Sequence, residues 1–471
     1  MTKSQNKTVK KPSLLEVIIL LTVFLVIAFS FTTVLDLSIQ LALFIALFLV
    51  IILGLKIGYT YNDLQDAIKE GVGGGIEAIL ILISVGALIG TWIAGGVVPA
   101  IIYYGLEFIH PNIFLLTTVI LCAVTSLATG TSWGTAGTAG VAMVAIGGAL
   151  GIPLPLVVGA VLSGAYFGDK LSPLSDSTIL ASSMAKVDVM DHVRSLLYVS
   201  IPALVISGIA FTIVGFTYAT DNVDLSQVDA TLAALDGTFN INWFMIVPAI
   251  IVIVMLALKQ PAVPTIAFGS LLGVLWAVFF QGLDWNFALN AVYEGFTIQS
   301  GNEFLDELLN RGGMASMLDS IAVIILGLAF GGLLNYIGAL EVLVDTFTNF
   351  ITNIGRLSTA TVGTGLLANI FGCSMYVSLI LTPKIMEKNY DKLNVDRRVL
   401  SRNSEVGGTL TSGMVPWTDN GIYMAAMFGV PTLQYLPYMW LNFAAIILVI
   451  IYGYTKKFIY YEEDSEAIAK S

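Results

Sequence analysis

Long apolar runs separated by short polar segments set the pattern of the chain, and they predict an all-α polytopic membrane protein. Leu14–Leu35 and Leu37–Gly58 each have the length that crosses a hydrocarbon core of about 30 Å. A polar, amphipathic segment follows at Tyr59–Gly75, then an apolar Ile76–Val97, a short Pro99–Phe108 and Ile113–Ala128. Thr129–Gly140 is so rich in Gly and Thr that it makes a poor continuous helix. Leu154–Gly168 leads into a second interruption, Leu196–Tyr218 closes the first half, and Asp221–Asp236 reads as an acidic linker. Beyond it the plan repeats: Trp243–Leu258, Val263–Gln281, an insertion, Leu318–Tyr336, Leu340–Phe350, Ala360–Leu381, a polar stretch from Lys384 to Arg402, another interruption, and Leu433–Tyr454. Counted with the short pieces as crossings or as re-entrant loops, this gives about 11–14 membrane segments.

The interruption between Val161 and Ser183 places Asp169, Lys170, Ser172, Pro173, Ser175 and Asp176 within eight positions of an otherwise apolar region. Broken backbone and charge at membrane depth are tolerated only where they face protein or a water-filled cavity. The pattern occurs twice. Gly164, Pro173, Ser175 and Asp176 recur 243 positions later as Gly407, Pro416, Thr418 and Asp419. At a shift of 242, Glu77 falls on Asp319, Gly90 on Gly332, Gly96 on Gly338, Gly130 on Gly372 and Ser132 on Ser374. Asn62–Gly71 resembles Asn286–Gly295 at a shift of 224, so an insertion of 18 residues lies between Gly295 and Leu318. Paired interrupted segments in two halves point to the binding site of a secondary transporter. The expected organisation is a first repeat over 1–219, an acidic extracellular linker over 220–240, a second repeat over 241–456 and a cytoplasmic tail over 457–471.

Charge placement sets the expected topology. With the N-terminus inside, every Lys and Arg except Arg311, Arg356 and the membrane-embedded Lys170 falls on the inner face, which the positive-inside rule requires. That solution needs an odd number of crossings per half, so the two repeats are inverted and both termini are cytoplasmic. The start of the chain lacks a small-residue cleavage site and reads as a retained first helix, and the acidic tail Glu462–Glu466 as a solvated one.

Composition narrows the classes. The chain is 57% hydrophobic and 11% charged, with a mean hydropathy of +0.88, whereas about a quarter of a soluble domain is charged. Cys122 and Cys373 lie in apolar segments and read as small buried residues, and His110 and His192 as solitary loop residues, so no metal-ligand or disulfide pattern emerges and no cofactor is expected. Without a Ser/His pair or a metal cluster at membrane depth the chain is not expected to be an enzyme. Basic residues spread over the inner loops give no nucleic-acid footprint. A channel has no need of two matched halves around one broken site.

A dehydrated Na+ needs several oxygen ligands, from carboxylates, hydroxyls and free carbonyls of unwound backbone. The first half offers Thr131, Ser132, Ser172, Ser175 and Asp176, and the second Ser374, Thr418, Asp419 and Asn420. A desolvated carboxylate holds its proton more tightly and a bound cation displaces it, so one Asp can hold H+ or Na+ but not both. Asp169, Asp176 and Asp419 are the candidates, with Glu405 behind them; Na+ is placed among Asp176, Ser175, Thr131, Ser132 and Asp419. Lys170 is a candidate anion contact. Each assignment has a plainer alternative. Asp176 could cap the helix that follows it, Asp169 could sit in a structural ion pair, Glu77 and Asp319 could favour helix N-termini, Glu405 could pair with Arg402 at the surface, and Trp133 and Trp417 could simply pack.

The segments GTSWGTAGTAG, from Gly130 to Gly140, and SGAYFGDKLSPLSD, from Ser163 to Asp176, closely resemble the signature segments of the NhaC-type Na+/H+ antiporters, members of the ion-transporter superfamily. The resemblance covers essentially the whole chain. It implies inverted-repeat architecture in the cell membrane and Na+-coupled antiport by an elevator-like movement within a homodimer. It also implies that Asp169, Ser172, Pro173, Ser175 and Asp176 belong to the ion-binding region, with Thr131 and Ser132 at the opposing broken helix. The second motif departs from the family's Pro-Trp-Asn-Thr pattern, since Pro416-Trp417-Thr418-Asp419-Asn420 carries a carboxylate. The family includes exchangers of malate and lactate. The leading expectation is therefore exchange of Na+ for H+ by alternating access; the alternative is a Na+-coupled carrier or exchanger of small organic acids or amino acids.

Overall fold

The computed structural model describes residues 9–35, 37–222, 225–299, 306, 309–348 and 351–461, and among these residues the chain is helical, with one isolated β-bridge between Val395 and Tyr461. The expected acidic tail at 462–466 lies outside the described residues. The first half comprises α1 (Leu14–Phe29), α2 (Ile39–Ile57), α3 (Tyr61–Gly73), α4 (Ile76–Ala94), α5 (Val97–Phe108), α6 (Phe114–Thr129), α7 (Ser132–Thr135), α8 (Val141–Ala149), α9 (Leu154–Leu171), α10 (Asp176–Met184) and α11 (Val189–Asn222). After α12 (Leu225–Thr238) the same order returns as α13 (Val247–Ala257), α14 (Ala262–Phe279), α15 (Trp285–Tyr293), α16 (Leu318–Tyr336), α17 (Ala339–Thr348), α18 (Ile354–Gly372), α19 (Met375–Lys392), α20 (Arg397–Ser412) and α21 (Asp419–Phe428). A short α22 (Thr432–Tyr435) precedes the last helix, α23 (Trp440–Thr455). Among the described residues eight helices are long and apolar enough to cross a membrane, and two bent helix pairs raise the number to ten. The protein is a multi-pass membrane protein.

Local sequence sets several boundaries. Ser13 and Glu16 form a reciprocal capping box at the start of α1, and Thr60 and Asp63 do the same for α3, satisfying backbone donors that the helices leave free. Thr129–Gly140 breaks only at its start. Gly130 adopts a left-handed conformation (φ 73°), and the chain is helical again from Ser132, passing through a π-turn at Ala136–Gly140 into α8. The Gly and Thr residues thus widen the helix instead of ending it. The region 220–240 is largely helix, since α12 packs against α5.

The repeat is visible in the packing. Helix α4 packs on α14 and α15 of the other half, and α16 packs reciprocally on α2 and α3. Within each half α6 lies against α9 and α18 against α20. Both contacts are close because glycine permits it: a Cβ on Gly164 would stand 2.3 Å from the Val119 carbonyl oxygen, and one on Gly365 would stand 2.4 Å from the Gly407 carbonyl carbon. The backbone fixes the register at the first break. Thr131 (φ −147°, ψ 128°) follows left-handed Gly130, and Ser374 (φ −146°, ψ 133°) follows left-handed Cys373 (φ 54°). Ser374 is therefore the counterpart of Thr131, one position from the pairing with Ser132 that the 242 shift suggested.

The polar stretch expected over Lys384–Arg402 is the end of α19, a turn and the start of α20; beyond that turn every residue of α20 from Val399 to Ser412 is buried. A helix carrying Arg402, Asn403, Ser404 and Glu405 looks like a loop by hydropathy, but here it is wrapped by α18, α19, α11 and α23, and its side chains from Val399 to Ser412 are buried.

Candidate functional site

The site is assembled from four chain breaks, two from each half. Helix α9 ends at Leu171, and Ser172–Ser175 run non-helically to the start of α10 at Asp176; α20 ends at Ser412 and α21 starts at Asp419. Facing them are the Gly130–Thr131 and Cys373–Ser374 breaks. Side-chain oxygens hold the restarted helices, Thr131 accepting from the Gly134 N–H at 3.3 Å and Thr418 from the Gly421 N–H at 3.0 Å. Between these breaks lies a cavity of about 730 Å3 whose wall includes Thr131, Ser132 and the carboxylates of Glu77, Asp169, Asp176 and Asp419.

The three aspartates have different partners. Asp169 accepts only hydroxyls, from Ser132 at 2.9 Å and Ser175 at 2.6 Å, with the Lys170 ammonium 3.8 Å away. Asp176, first residue of α10, accepts from the Ser177 N–H at 2.8 Å and from the Tyr376 hydroxyl of the opposite half. Ser175, not Asp176, holds the N-cap position. Asp419 is surrounded by donors from its own half: the Ser374 hydroxyl at 2.9 Å, the Met375 N–H at 3.1 and 3.2 Å, and the Asn420 N–H at 2.7 Å. A hydroxyl can rotate its proton away and offer a lone pair to a cation; a backbone N–H cannot. The surroundings of Asp169 can convert to a Na+ shell, whereas those of Asp419 suit a carboxylate tying two helix starts together.

The other predicted residues divide between cavity and frame. Thr418 donates to the Ser412 carbonyl at 2.5 Å, and Asn420 takes the Trp133 indole N–H and donates to Ser412 Oγ at 2.6 Å; both are buried behind the cavity. Ser172 is buried with no partner for its hydroxyl among the described residues, beside Gly130. Trp133 lines the cavity and stacks on Tyr423 at 4.5 Å, while Trp417 donates to the Ile370 carbonyl at 2.7 Å and packs against Phe24.

Lys170 does not line the cavity. Its ammonium lies 2.7 Å from Glu405 Oε1, and both side chains are fully enclosed. Glu405 is therefore not the surface partner of Arg402: α20 is buried, and Glu405 also accepts from Ser177 at 3.2 Å and Thr409 at 3.0 Å. His192 likewise is no loop residue; it is buried in α11 and bonded to Ser401. Sequence reasoning missed the cavity residues Tyr376, Lys259 and Gln260. Tyr376 was findable, two positions after Ser374 at a predicted break, but the turn carrying Lys259 and Gln260 reads as an ordinary inner loop. No group of three or more His, Cys, Asp or Glu side chains suited to a metal ion occurs among the described residues.

The model of the Na+/H+ antiporter family matches residues 5–195 and 164–457. The malate-2H+/Na+-lactate antiporter of Bacillus subtilis is 62% identical over 464 residues, 98% of this chain and 99% of that protein. The Na+/H+ antiporter NhaC of Alkalihalophilus pseudofirmus is 37% identical over 84% of this chain and 85% of its own length. The arginine/ornithine antiporter ArcD of Halobacterium salinarum is 33% identical over 88% and 86%.

Proposed function

Because the chain belongs to the Na+/H+ antiporter family, we propose that it exchanges Na+ for H+ with each cation accompanied by a small organic acid, in the manner named for its 62% identical relative. The observation that carries this reading is the cavity. Its volume of about 730 Å3 is far more than a desolvated Na+ requires, and Glu77, Asp169, Asp176 and Asp419 line it together. An organic anion entering beside four carboxylates meets like charge at close range, so it must arrive with cations that neutralise them. Protons on the aspartates serve on one limb of the cycle and Na+ on the other.

In this scheme Asp169 is the exchange point. Ionised, it holds Na+ together with the Ser132 and Ser175 oxygens and, from the adjoining break, Thr131; protonated, it releases Na+ and donates to one of those hydroxyls. Asp176 supplies the second charge, at a position tied to the opposite half through Tyr376. Lys259 and Gln260 offer the cavity's cationic and amide contacts to the cargo carboxylate. The halves alternate access around this site, by an elevator-like movement in a homodimer with both termini cytoplasmic.

Purified protein is reconstituted into liposomes with a trapped pH dye. Saturable proton movement that needs lactate inside and malate outside, together with a Na+ gradient, is the expected result. Full proton movement on Na+ alone would refute the organic-acid requirement and leave plain Na+/H+ antiport, the activity named for the relative at 37% identity. Exchange supported by arginine and ornithine but not by malate would move the cargo class to amino acids.

A further inference from the structure

Among the described residues Arg402 is the one fully buried arginine, and its expected partner, Glu405, pairs with Lys170 instead. Its guanidinium donates to the Phe458 carbonyl at 2.9 Å and reaches Asn403 Oδ1 at 3.4 Å, its second Nη has no partner, and no carboxylate pairs with it among the described residues. A buried charge without a counter-charge is costly. Phe458, whose carbonyl Arg402 holds, also lines a cavity of about 670 Å3 that is bounded by α11, α20, α23 and the segment after it, shares no lining residue with the transport cavity, and does not have Arg402 in its wall. Arg194 and Arg398 line it together with the carboxylate of Asp191, and Tyr198, Tyr452, Phe458 and Tyr460 complete its wall.

Pro202, inside α11, is part of the cavity wall. Proline has no N–H, so the helical bond from residue 202 to the Tyr198 carbonyl is missing, and the Tyr452 hydroxyl fills it at 3.0 Å. The aromatic rings then stack outward, Phe458 on Tyr198 at 4.7 Å, with the Arg398 guanidinium 4.4 Å over Tyr460. Two of the arginines are matched, Arg194 by Asp191 at 3.3 Å and Arg398 by Asp396 at 2.9 Å, and Arg402 adds a third charge that has no carboxylate partner among the described residues. Lys456 and Lys457 follow directly on α23. Leu197 and Ile201 also line the cavity, and Ile201, on α11, is 48% exposed.

We propose that this cavity binds the phosphate headgroup of an anionic phospholipid. Arg194 and Arg398 contact the phosphate, Arg402 supplies the balancing charge from behind, and Leu197 and Ile201 receive the first part of an acyl chain. A basic pocket between membrane helices that is continuous with the lipid-facing surface has the features such a headgroup requires, and a soluble anion would not use the apolar side.

The test uses the full chain in detergent, with bound lipid counted by native mass spectrometry as phosphatidylglycerol or phosphatidylcholine is added. Phosphatidylglycerol should bind saturably and phosphatidylcholine should not. The double variant R194Q/R398Q should weaken phosphatidylglycerol binding by roughly 30-fold, about fivefold per arginine. K186Q, an exposed basic residue paired with Glu387, should bind like the unmodified protein. If the double variant does not fold, R194Q and R398Q are compared singly, each expected to lose about fivefold. Equal binding of the two lipids, or undiminished binding by the arginine variants, would overturn the proposal. So would displacement of the lipid by millimolar inorganic phosphate, which would assign the site to a soluble anion.

Discussion

Replacing Glu405 with Gln gives the sharpest test of the site's electrostatics. Glu405 Oε1 lies 2.7 Å from the Lys170 ammonium, both side chains are at most 1% exposed, and the other carboxylate oxygen has no partner among the described residues. Removing one member of such a pair leaves a buried charge uncompensated and costs on the order of 3–5 kcal/mol, whereas replacing both by apolar groups of similar size is often near neutral. Denaturant unfolding in mixed micelles should therefore show large losses for Glu405→Gln and for Lys170→Met, and a much smaller loss for Lys170→Met combined with Glu405→Leu. Function adds an independent reading. Freed from Glu405, Lys170 has Asp169 as its nearest carboxylate, at 3.8 Å. At an effective dielectric of about 20 that contact is worth about 4 kcal/mol before screening, so Lys170 would act as a resident cation competing with Na+. The Na+ concentration for half-maximal exchange should rise in Glu405→Gln, about tenfold for each 1.4 kcal/mol realised, and return toward normal in the double variant, which has no ammonium. Additive losses of stability, or Na+ dependence unchanged by Glu405→Gln, would refute the reasoning.

The remaining expectations follow from individual contacts. Asp169→Asn should abolish Na+-dependent exchange in liposomes while the protein still folds, because an amide keeps its two hydroxyl neighbours satisfied but cannot hold a Na+ or carry a proton. Asp419→Asn should chiefly lower stability, by about 1–3 kcal/mol from the mismatched N–H donors, with half-saturation for Na+ nearly unchanged; loss of Na+ dependence without loss of stability would make Asp419 a cation ligand after all. Gly164→Ala should destabilise the α6–α9 contact by about 1–3 kcal/mol through overpacking, read as a lower unfolding midpoint, since the added Cβ would stand 2.3 Å from the Val119 carbonyl oxygen.

The apolar runs, the two breaks and their recurrence were legible because hydropathy and Gly/Pro chemistry act locally. The break at Ser172–Ser175 follows from that reading, but the bonding of Ser132 and Ser175 to Asp169 does not, since it places Na+ among Asp176, Ser175, Thr131, Ser132 and Asp419. Helix α20 was not legible. Its Arg402-Asn403-Ser404-Glu405 run has the composition of a surface segment, and only the surrounding helices make it interior. The Lys170–Glu405 contact spans 235 positions and has no local signal. A one-residue ambiguity also survived in the repeat, because Gly372 looks like the equivalent of Gly130 although Cys373 takes the left-handed conformation. A non-glycine residue there carries strain of about 1–3 kcal/mol, which a rule that pairs glycines with glycines cannot anticipate.

The two halves share a motif but not its use. Asp176 and Asp419 occupy equivalent positions, and each accepts the N–H of the residue that follows it. Asp419 then turns to Ser374 and Met375 of its own half, closing its two breaks on one another. Asp176 makes no such bond to Thr131 or Ser132; it crosses to Tyr376, and the Thr131–Ser132 break stays on the cavity. A second carboxylate, Asp169, enters the first half at the position that Ser412 holds in the second. The first half thus gathers two carboxylates with rotatable hydroxyls, while the second is already satisfied by backbone donors. That difference argues for one cation-exchanging centre rather than two. Tyr376→Phe tests it, because among the described residues the lost hydroxyl serves only Asp176: Na+ half-saturation should shift, while binding stoichiometry by isothermal titration stays at one. Two equivalent Na+ per chain would show that the symmetry of the sequence extends to the chemistry after all.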